Sequence, residues 1–154
     1  MKFSTSCADL LAQLGVVSRV ASTRSAVQAL SGVQLSALTG GAELRATDME
    51  VGLRVPLTAD VEREGTVVLP ARLMLDVARS LPGKDATFEL RPAEQDVEVV
   101  SGAATFHIRT LRAEDFPPLP EPGVENIVAV PAAAFVATIN LVARSASPVS
   151  YTHL

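Results

Sequence analysis

The chain has 154 residues and a net charge of −4, and 48% of its residues are apolar while only 4% are aromatic. This length and apolar content suffice for one ordinary domain, or for one domain and part of a second. The acidic balance argues against a generally basic nucleic-acid binder, and the few aromatic residues argue against a protein that reads single strands by base stacking. A local basic surface on an acidic body remains compatible with these values.

The sequence carries no sign of export or of membrane insertion. Its single cysteine, Cys7, cannot form a disulfide within one chain, which is typical of a reducing compartment. Residues 1–5 are not followed by the long apolar run of a signal peptide. No stretch approaches the roughly 18 apolar residues of a membrane span. We therefore expect a soluble, cytoplasmic protein without a membrane partner.

The first unit of the chain begins with a short strand and a helix, and further strands follow. Leu10, Leu14 and Val17 recur at helical spacing, which predicts one buried helix face. Apolar and polar residues alternate in the last strand, where Pro56 indicates that the strand's end lies near a sheet edge or a bulge. The predicted elements are strand 2–5, helix 7–21, strand 33–37, a turn at 39–41 and strand 51–58.

The second unit repeats this order. Pro70 suits the first turn of a helix, where its missing N–H is no loss, and Leu73 and Val77 contribute to the predicted buried face. The sequence Leu-Pro-Gly at 81–83 ends that helix. Both units follow the order strand, helix and three strands, which predicts an α+β fold, and a stiff proline-rich linker follows at 116–123. The predicted elements are strand 66–69, helix 70–81, and strands 87–90, 97–101 and 105–109.

A helix-start pattern occurs three times at nearly even intervals. The shared alanines Ala8, Ala71 and Ala132 are 63 and 61 positions apart. The ends of the first and third helices, at 17–22 and 142–147, also share the pattern V-x-R-x-A-S. An internal period of this size predicts duplicated structural units. We therefore predict a domain made of two units, followed by the strand and helix that begin a third.

Reactive residues are few, and none has the partners that a catalytic or metal site requires. His107 and His153 lack further ligands at metal-binding spacing, and no phosphate-binding glycine motif is present, so we predict neither a metal nor a cofactor. Asp48 and Glu50 fall in a predicted hairpin turn, and Cys7 stands at a helix start. Two alternatives stay open: a small β-rich enzyme that uses Cys7 or Asp48 with Glu50, and a stand-alone module that pairs through an exposed strand edge.

The arginines carry more information than the acids or the cysteine. Arg24 lies in the loop after the first helix, and Arg72 and Arg79 share the polar face of the second. If equivalent helices lie side by side, their polar faces form one continuous surface. Arginines on such a surface contact phosphates without reading base sequence.

Several short motifs occur in an order that resembles one known family. Each motif alone is weak, but together they span the chain from Met1 to about Ser147, and they resemble the bacterial DNA polymerase III beta subunit, the sliding clamp. The motifs are M-K-F at 1–3, T-D-M-E at 47–50, V-L-P-A-R at 68–72, R-S-L-P at 79–82, S-G-A-A-T-F-H-I-R-T at 101–110 and E-D-F-P-P-L-P at 114–120.

The resemblance implies a non-catalytic ring of two chains, each with three similar domains, closed head to tail around duplex DNA. Its helices lie on one face of antiparallel sheets and line the hole, and the ring confers processivity on the replicative polymerase. Carried over by position, Arg24, Arg72 and Arg79 contact DNA. Phe106 and Ile108 lie on the edge strand that meets the second chain. The polymerase and the clamp loader bind to domains that this chain lacks.

The resemblance also implies a division of the chain. We expect the first clamp domain with its linker at 1–123, the truncated start of a second domain at 124–147, and a tail at 148–154 that we interpret as non-native sequence or a truncated gene. A helix over 131–145 would then expose an apolar face that includes Phe135 and Ile139, and we expect either aggregation or a mobile C-terminal segment.

Overall fold

The computed structural model describes residues 1–22, 25–119 and 128–146. The chain divides into two compact units, Met1–Leu119 and Pro120–Leu154. Each strand pair in the described part of the larger unit is antiparallel, and two α-helices accompany the strands. The expected α+β class is therefore confirmed.

The larger unit follows the predicted order of elements, except that the predicted bounds omit two strands, at Gly41–Thr47 and at Ala59–Arg63. Two single-turn 3₁₀ helices, Gln28–Ser31 and Ala113–Asp115, lie outside the main elements. The main elements are β1 (Lys2–Ser6), α1 (Cys7–Val17), β2 (Gly32–Leu38), β3 (Gly41–Thr47), β4 (Gly52–Leu57), β5 (Ala59–Arg63), β6 (Gly65–Pro70), α2 (Ala71–Ser80), β7 (Asp85–Arg91), β8 (Asp96–Ser101) and β9 (Ala104–Arg109).

The two sequence units exchange strands when they form their sheets. One sheet has five strands in the order β5-β1-β7-β8-β9, and the other has four in the order β4-β3-β2-β6. The first strand of each unit thus pairs with strands of the other unit: β1 lies beside β7, and β6 lies beside β2. The two sequence units therefore form a single domain, because neither unit can complete its sheet without a strand of the other.

A single aliphatic core joins the two sheets and the helices. Phe3 of β1 and Phe88 of β7 are cross-strand partners, and their rings stack with centroids 4.9 Å apart. The helix α1 buries Leu10, Leu14 and Val17 in the same core, as its spacing predicts. Burial of such side chains is the main favourable contribution to folding, at roughly 1.5–3 kcal/mol each.

Both helices differ from their predicted extent or face. The helix α1 ends at Val17, because the next turn tightens: the N–H groups of Arg19 and Val20 donate to carbonyls three residues back. In α2, Pro70 is the residue before the first turn. Leu73 was expected on the buried face but is 46% exposed, because Met74, Val77 and Ala78 already fill the contact with the sheets.

The end strands and the linker occupy the outer parts of the domain. Pro56 lies in β4, an edge strand, as its missing N–H predicts. The described residues after β9, as far as Leu119, pack against the sheet face that points away from the helices. Leu111 donates its N–H to the carbonyl of Val68 at 2.8 Å, and Phe116 is buried against Val68. Further along, Leu119 contacts Gly52, where an added Cβ would lie 2.8 Å from a Leu119 methyl group.

The smaller unit contains one described α-helix, α3 (Ala132–Val142), followed by a 3₁₀ turn at Ala143–Ser145. This matches the helix predicted over 131–145. Its apolar side chains Phe135, Ile139 and Val142 are exposed, as expected. Among the described residues, no helix combines the length and the apolar character needed to cross a membrane.

Candidate nucleic-acid interface

The two helices of the larger unit pack against each other and present one face of α2 to solvent. This face carries Arg72, Leu73, Asp76 and Arg79, while the opposite face of α2 is buried in the core. The predicted polar face is therefore present. The helix spacing that buries Met74 and Val77 is what places the two arginines together on the exposed side.

The two arginines of α2 have different surroundings. Arg79 Nη1 lies 3.3 Å from Asp76 Oδ1, an exposed pair one helical turn apart. Pairs of this kind stabilise a helix by only about 0.3–0.5 kcal/mol. Arg72 has no acidic partner among the described residues, and it lines a cavity of about 380 Å³ with Ser18 and Ser31. Arg72 is thus the better placed of the two to meet an external anion.

The third predicted DNA contact, Arg24, lies outside the described residues, so its role stays a prediction. A further arginine that was not among the predicted contacts, Arg19, is exposed just beyond the end of α1. Arg19 follows Ser18, a residue that lines the same cavity as Arg72. The repeated V-x-R-x-A-S pattern, which places an arginine after both the first and the third helix, is the signal that marks it.

The predicted subunit-interface residues lie on β9, which is one of the two edge strands of the five-stranded sheet; the other is β5. Phe106 is half-buried against the core, and Ile108 is only 1% exposed. The Ile108 side chain therefore contributes to this domain's own core. Contact with a second chain at this edge would use the β9 backbone, Phe106 and the outward-facing side chains, since a strand edge presents unpaired N–H and C=O groups.

His107 lies on the outward side of β9 in a cluster of charged residues. An Arg91 N–H donates to His107 Nδ1 at 2.8 Å, and Arg91 also forms two hydrogen bonds with Asp96, at 2.9 and 2.7 Å. These bonds from Arg91 are the main reason that the pKa of Asp96 is lowered, and the same contact raises the pKa of Arg91. The cluster connects β7, β8 and β9 across the sheet, which is a structural role for His107.

Asp48 forms the turn between β3 and β4. Its Oδ1 accepts hydrogen bonds from the N–H groups of Glu50 at 3.0 Å and Val51 at 2.7 Å, and Met49, between Asp48 and Glu50, has a positive φ of 79°. The bond from Val51, followed by the bond from Glu50, lowers the pKa of Asp48. The Asp48 carboxylate therefore stabilises the turn, as the sequence predicts. The same Oδ1 would have to give up these backbone hydrogen bonds to act in acid-base catalysis.

Cys7 is the first residue of α1 and is half-buried. Its N–H donates to the carbonyl of Lys84 at 2.8 Å, and its Sγ lies 3.5 Å from Ser101 Oγ. Ser6 provides the helix cap, since its hydroxyl accepts from the N–H of Asp9 at 3.5 Å. Cys7 is thus enclosed by structural contacts at the helix start. In the described residues, no group of three or more His, Cys, Asp or Glu side chains is arranged to hold a metal ion.

Two antiparallel sheets that share one core, with two adjacent helices on one face, define a domain of the DNA-clamp class. Residues 1–120 match the family model described as the DNA polymerase III beta subunit, N-terminal domain. The chain therefore belongs to the DNA polymerase III beta subunit family.

Relatives and solved structures agree with this assignment. The beta sliding clamp of Synechocystis is 35% identical over 91% of this chain and 37% of its own length. The beta sliding clamp of Streptomyces coelicolor is 33% identical over 90% of this chain and 36% of its own length. The chain thus spans a little over a third of these relatives.

Among solved structures, Caulobacter crescentus pol III beta matches with a TM-score of 0.84 at 26% identity, over 91% of this chain and 38% of that one. A Streptococcus pneumoniae DNA polymerase III beta chain matches in fold with a TM-score of 0.90 at 19% identity, over 98% of this chain and 42% of that one.

Proposed function

We propose that this chain supplies the first domain of a replicative sliding clamp, a ring that encircles duplex DNA and keeps the replicative polymerase on its template. The observation that carries the proposal is the exposed face of α2, which presents Arg72 and Arg79 on the side of the domain opposite the outward face of the sheets. The relatives named as beta sliding clamps support it. In this role the chain is an accessory subunit and catalyses no reaction itself.

The proposed contact with DNA is electrostatic and independent of base sequence. Arg24, Arg72 and Arg79 face phosphates, and Arg72 is the least encumbered of those that the structure describes. A closed ring stays on DNA because the duplex passes through it, so it does not need the high affinity that a strongly basic surface would give. This accounts for a net charge of −4 in a DNA-binding protein.

The proposed ring closes through the edge of β9. A second clamp chain adds a strand to this edge, head to tail, and packs on Phe106. The four-stranded sheet has an edge of its own at β4, where Pro56 has no N–H to donate and therefore limits strand addition. The replicative polymerase and the clamp loader act through parts of the subunit that this chain does not contain, and the ring works in the cytoplasm, where the chromosome is copied.

The test of this function uses the full-length subunit that carries residues 1–123 as its first domain. Labelled protein is loaded on nicked circular duplex, and its retention is followed before and after one restriction cut. We expect the circle to retain the protein and the cut duplex to release it from its ends. Equal loss from both forms would reject a ring. A duplex with both ends blocked by a bound protein is the control, and it should restore retention.

A further inference from the structure

Ser101, at the end of β8, is 2% exposed, and its hydroxyl joins segments that are far apart in the sequence. The Oγ accepts a hydrogen bond from the N–H of Gly83 at 3.1 Å and donates to the carbonyl of Asp85 at 2.8 Å. It also lies 3.5 Å from Cys7 Sγ. Gly83 belongs to the connection between α2 and β7, and Asp85 is the first residue of β7, so one side chain holds the end of this connection against the turn after β8.

The backbone around Ser101 fits it closely. A Cβ added at Gly83 would lie 2.5 Å from Ser101 Oγ and 3.1 Å from the backbone nitrogen of Gly102. Gly102 itself has a φ of +56°, which favours glycine in the turn between β8 and β9. On its other side, the same connection is held by the bond from the N–H of Cys7 to the carbonyl of Lys84, at 2.8 Å.

This arrangement links two surfaces that the proposed function uses separately. Gly83 lies three residues after Ser80, the last residue of α2, and Ala104, the first residue of β9, lies three residues after Ser101. Besides the direct packing of α2 against β9, one path from the exposed arginine face of α2 to this edge strand therefore runs through two short segments and one buried hydroxyl. A buried hydroxyl with both donor and acceptor bonds made restricts the segments it joins, because breaking either bond leaves a buried group unpaired.

We propose that Ser101 is a positioning residue that holds the C-terminal end of α2, which carries Arg79, and the ring-closing strand β9 in a fixed mutual orientation. This inference rests on the proposed function, because it assigns a role in the ring to both surfaces. Neither surface contains Ser101. Its effect is exerted through Gly83 and Asp85 on one side and through the turn to β9 on the other.

The first test compares two buried hydroxyls in the full-length subunit. Ser101→Ala removes the hydroxyl that bonds to Gly83 and Asp85. The control, Thr5→Val, removes a buried hydroxyl on β1, where Thr5 Oγ1 donates to the carbonyl of Thr58 at 2.7 Å. Amide hydrogen exchange is measured across the domain. We expect Ser101→Ala to accelerate exchange in the last turn of α2 and in β9 and to leave β3 unchanged. A uniform acceleration, or the same pattern in both variants, would show a general loss of stability and overturn the proposal.

The second test measures subunit exchange between labelled rings. We expect Ser101→Ala to exchange roughly three- to tenfold faster than wild type, the range that corresponds to the net loss of about one buried hydrogen bond. The exchange rate of Thr5→Val should stay within about twofold of the wild-type rate. Each variant is measured at the same number of degrees below its own melting temperature. Equal rates for Ser101→Ala and wild type, or for the two variants, would overturn the inference.

A second variant keeps the proposal testable if Ser101→Ala does not fold. Gly83→Ala retains the Ser101 hydroxyl but introduces a methyl group into its position, and it should accelerate the same exchange reactions. A folded Gly83→Ala ring with wild-type exchange would contradict the inference. Failure of the proposed function is distinguished by the wild-type protein: if wild-type rings are not retained on circular DNA, the function itself is wrong, whatever the variants do.

Discussion

Arg72 and Arg79 share one face of α2 but differ in their neighbours, and this difference predicts unequal effects on DNA binding. Arg79 is paired with Asp76 at 3.3 Å, whereas no acidic group among the described residues pairs with Arg72. We expect Arg72→Gln to weaken binding of the full-length subunit to duplex DNA more than Arg79→Gln does. Removal of the acid by Asp76→Asn should strengthen binding.

The magnitudes follow from the charges involved. Each phosphate contact contributes about 0.9 to the slope of log K against log salt concentration, so Arg72→Gln should reduce that slope by nearly one. Arg79 must first give up an exposed ion pair of about 0.3–0.5 kcal/mol, which lowers its contribution to DNA affinity by about twofold. Asp76→Asn should therefore raise affinity by at least about twofold, because it frees Arg79 and removes a charge that repels phosphate.

The assay is fluorescence anisotropy of a short labelled duplex at several salt concentrations, with two unrelated base sequences. The two sequences should respond alike to every variant, because phosphate contacts carry no base information. Arg63→Gln is the matched control, since Arg63 lies on β5 and pairs with Glu89 at 2.7 Å. The reasoning is refuted if Arg63→Gln lowers the salt slope as much as Arg72→Gln, or if Asp76→Asn weakens binding.

Three further predictions concern the fold that presents this face. Gly52→Val should lower the free energy of unfolding, measured by urea denaturation, by about 1–3 kcal/mol, because the new side chain displaces Leu119. Adding Leu119→Ala to the same chain should recover part of this loss. No recovery would mean that the contact between Gly52 and Leu119 is unimportant. Leu14→Ala should cost about 2–5 kcal/mol in the same assay, against less than about 0.5 kcal/mol for the exposed Leu73→Ala, and similar losses would contradict the assigned core.

The third of these concerns pH. The folded-state pKa of Asp48 lies below its usual value of 3.8, so the charge of Asp48 stabilises the fold above that value, and the contribution is lost as pH falls through the lower, folded pKa. Asp48→Asn keeps an oxygen acceptor for the turn but has no charge to lose. Its urea midpoint should therefore fall less than that of wild type between about pH 5 and pH 2; parallel curves would contradict the assignment.

The local elements were predictable because their signals are local. Apolar spacing placed the helices α1 and α2 within a few residues, and alternation placed β7, β8 and β9. The strand β5 was missed because its sequence, A-D-V-E-R, offers only two apolar positions and is otherwise charged. It becomes a strand through its partner, since Val61 pairs with Phe3 of β1.

The relations between the elements were not predictable from one sequence. The repeat indicates two similar units, yet β1 and β6 each complete the sheet of the other unit, and such pairings depend on contacts far apart in the chain. The linker was predicted as stiff, but its docking through Phe116 depends on Val68, which belongs to another element. In the candidate site, the helical period placed Arg72, Asp76 and Arg79 on one face, but it did not show that Asp76 pairs with Arg79.

The proposal that the helices of the ring face the DNA is tested by site-specific cross-linking, which measures how the domain is oriented on the duplex. A photo-reactive benzophenone residue is placed at position 72, on the exposed face of α2, or at position 60, on the outward face of the five-stranded sheet, where Asp60 pairs with Ser4. Full-length rings are loaded on circular duplex and irradiated. If the helices line the hole of the ring, position 72 should cross-link to DNA, and position 60 should give no cross-links above background. Equal cross-linking from the two positions, or more from position 60, would contradict this arrangement.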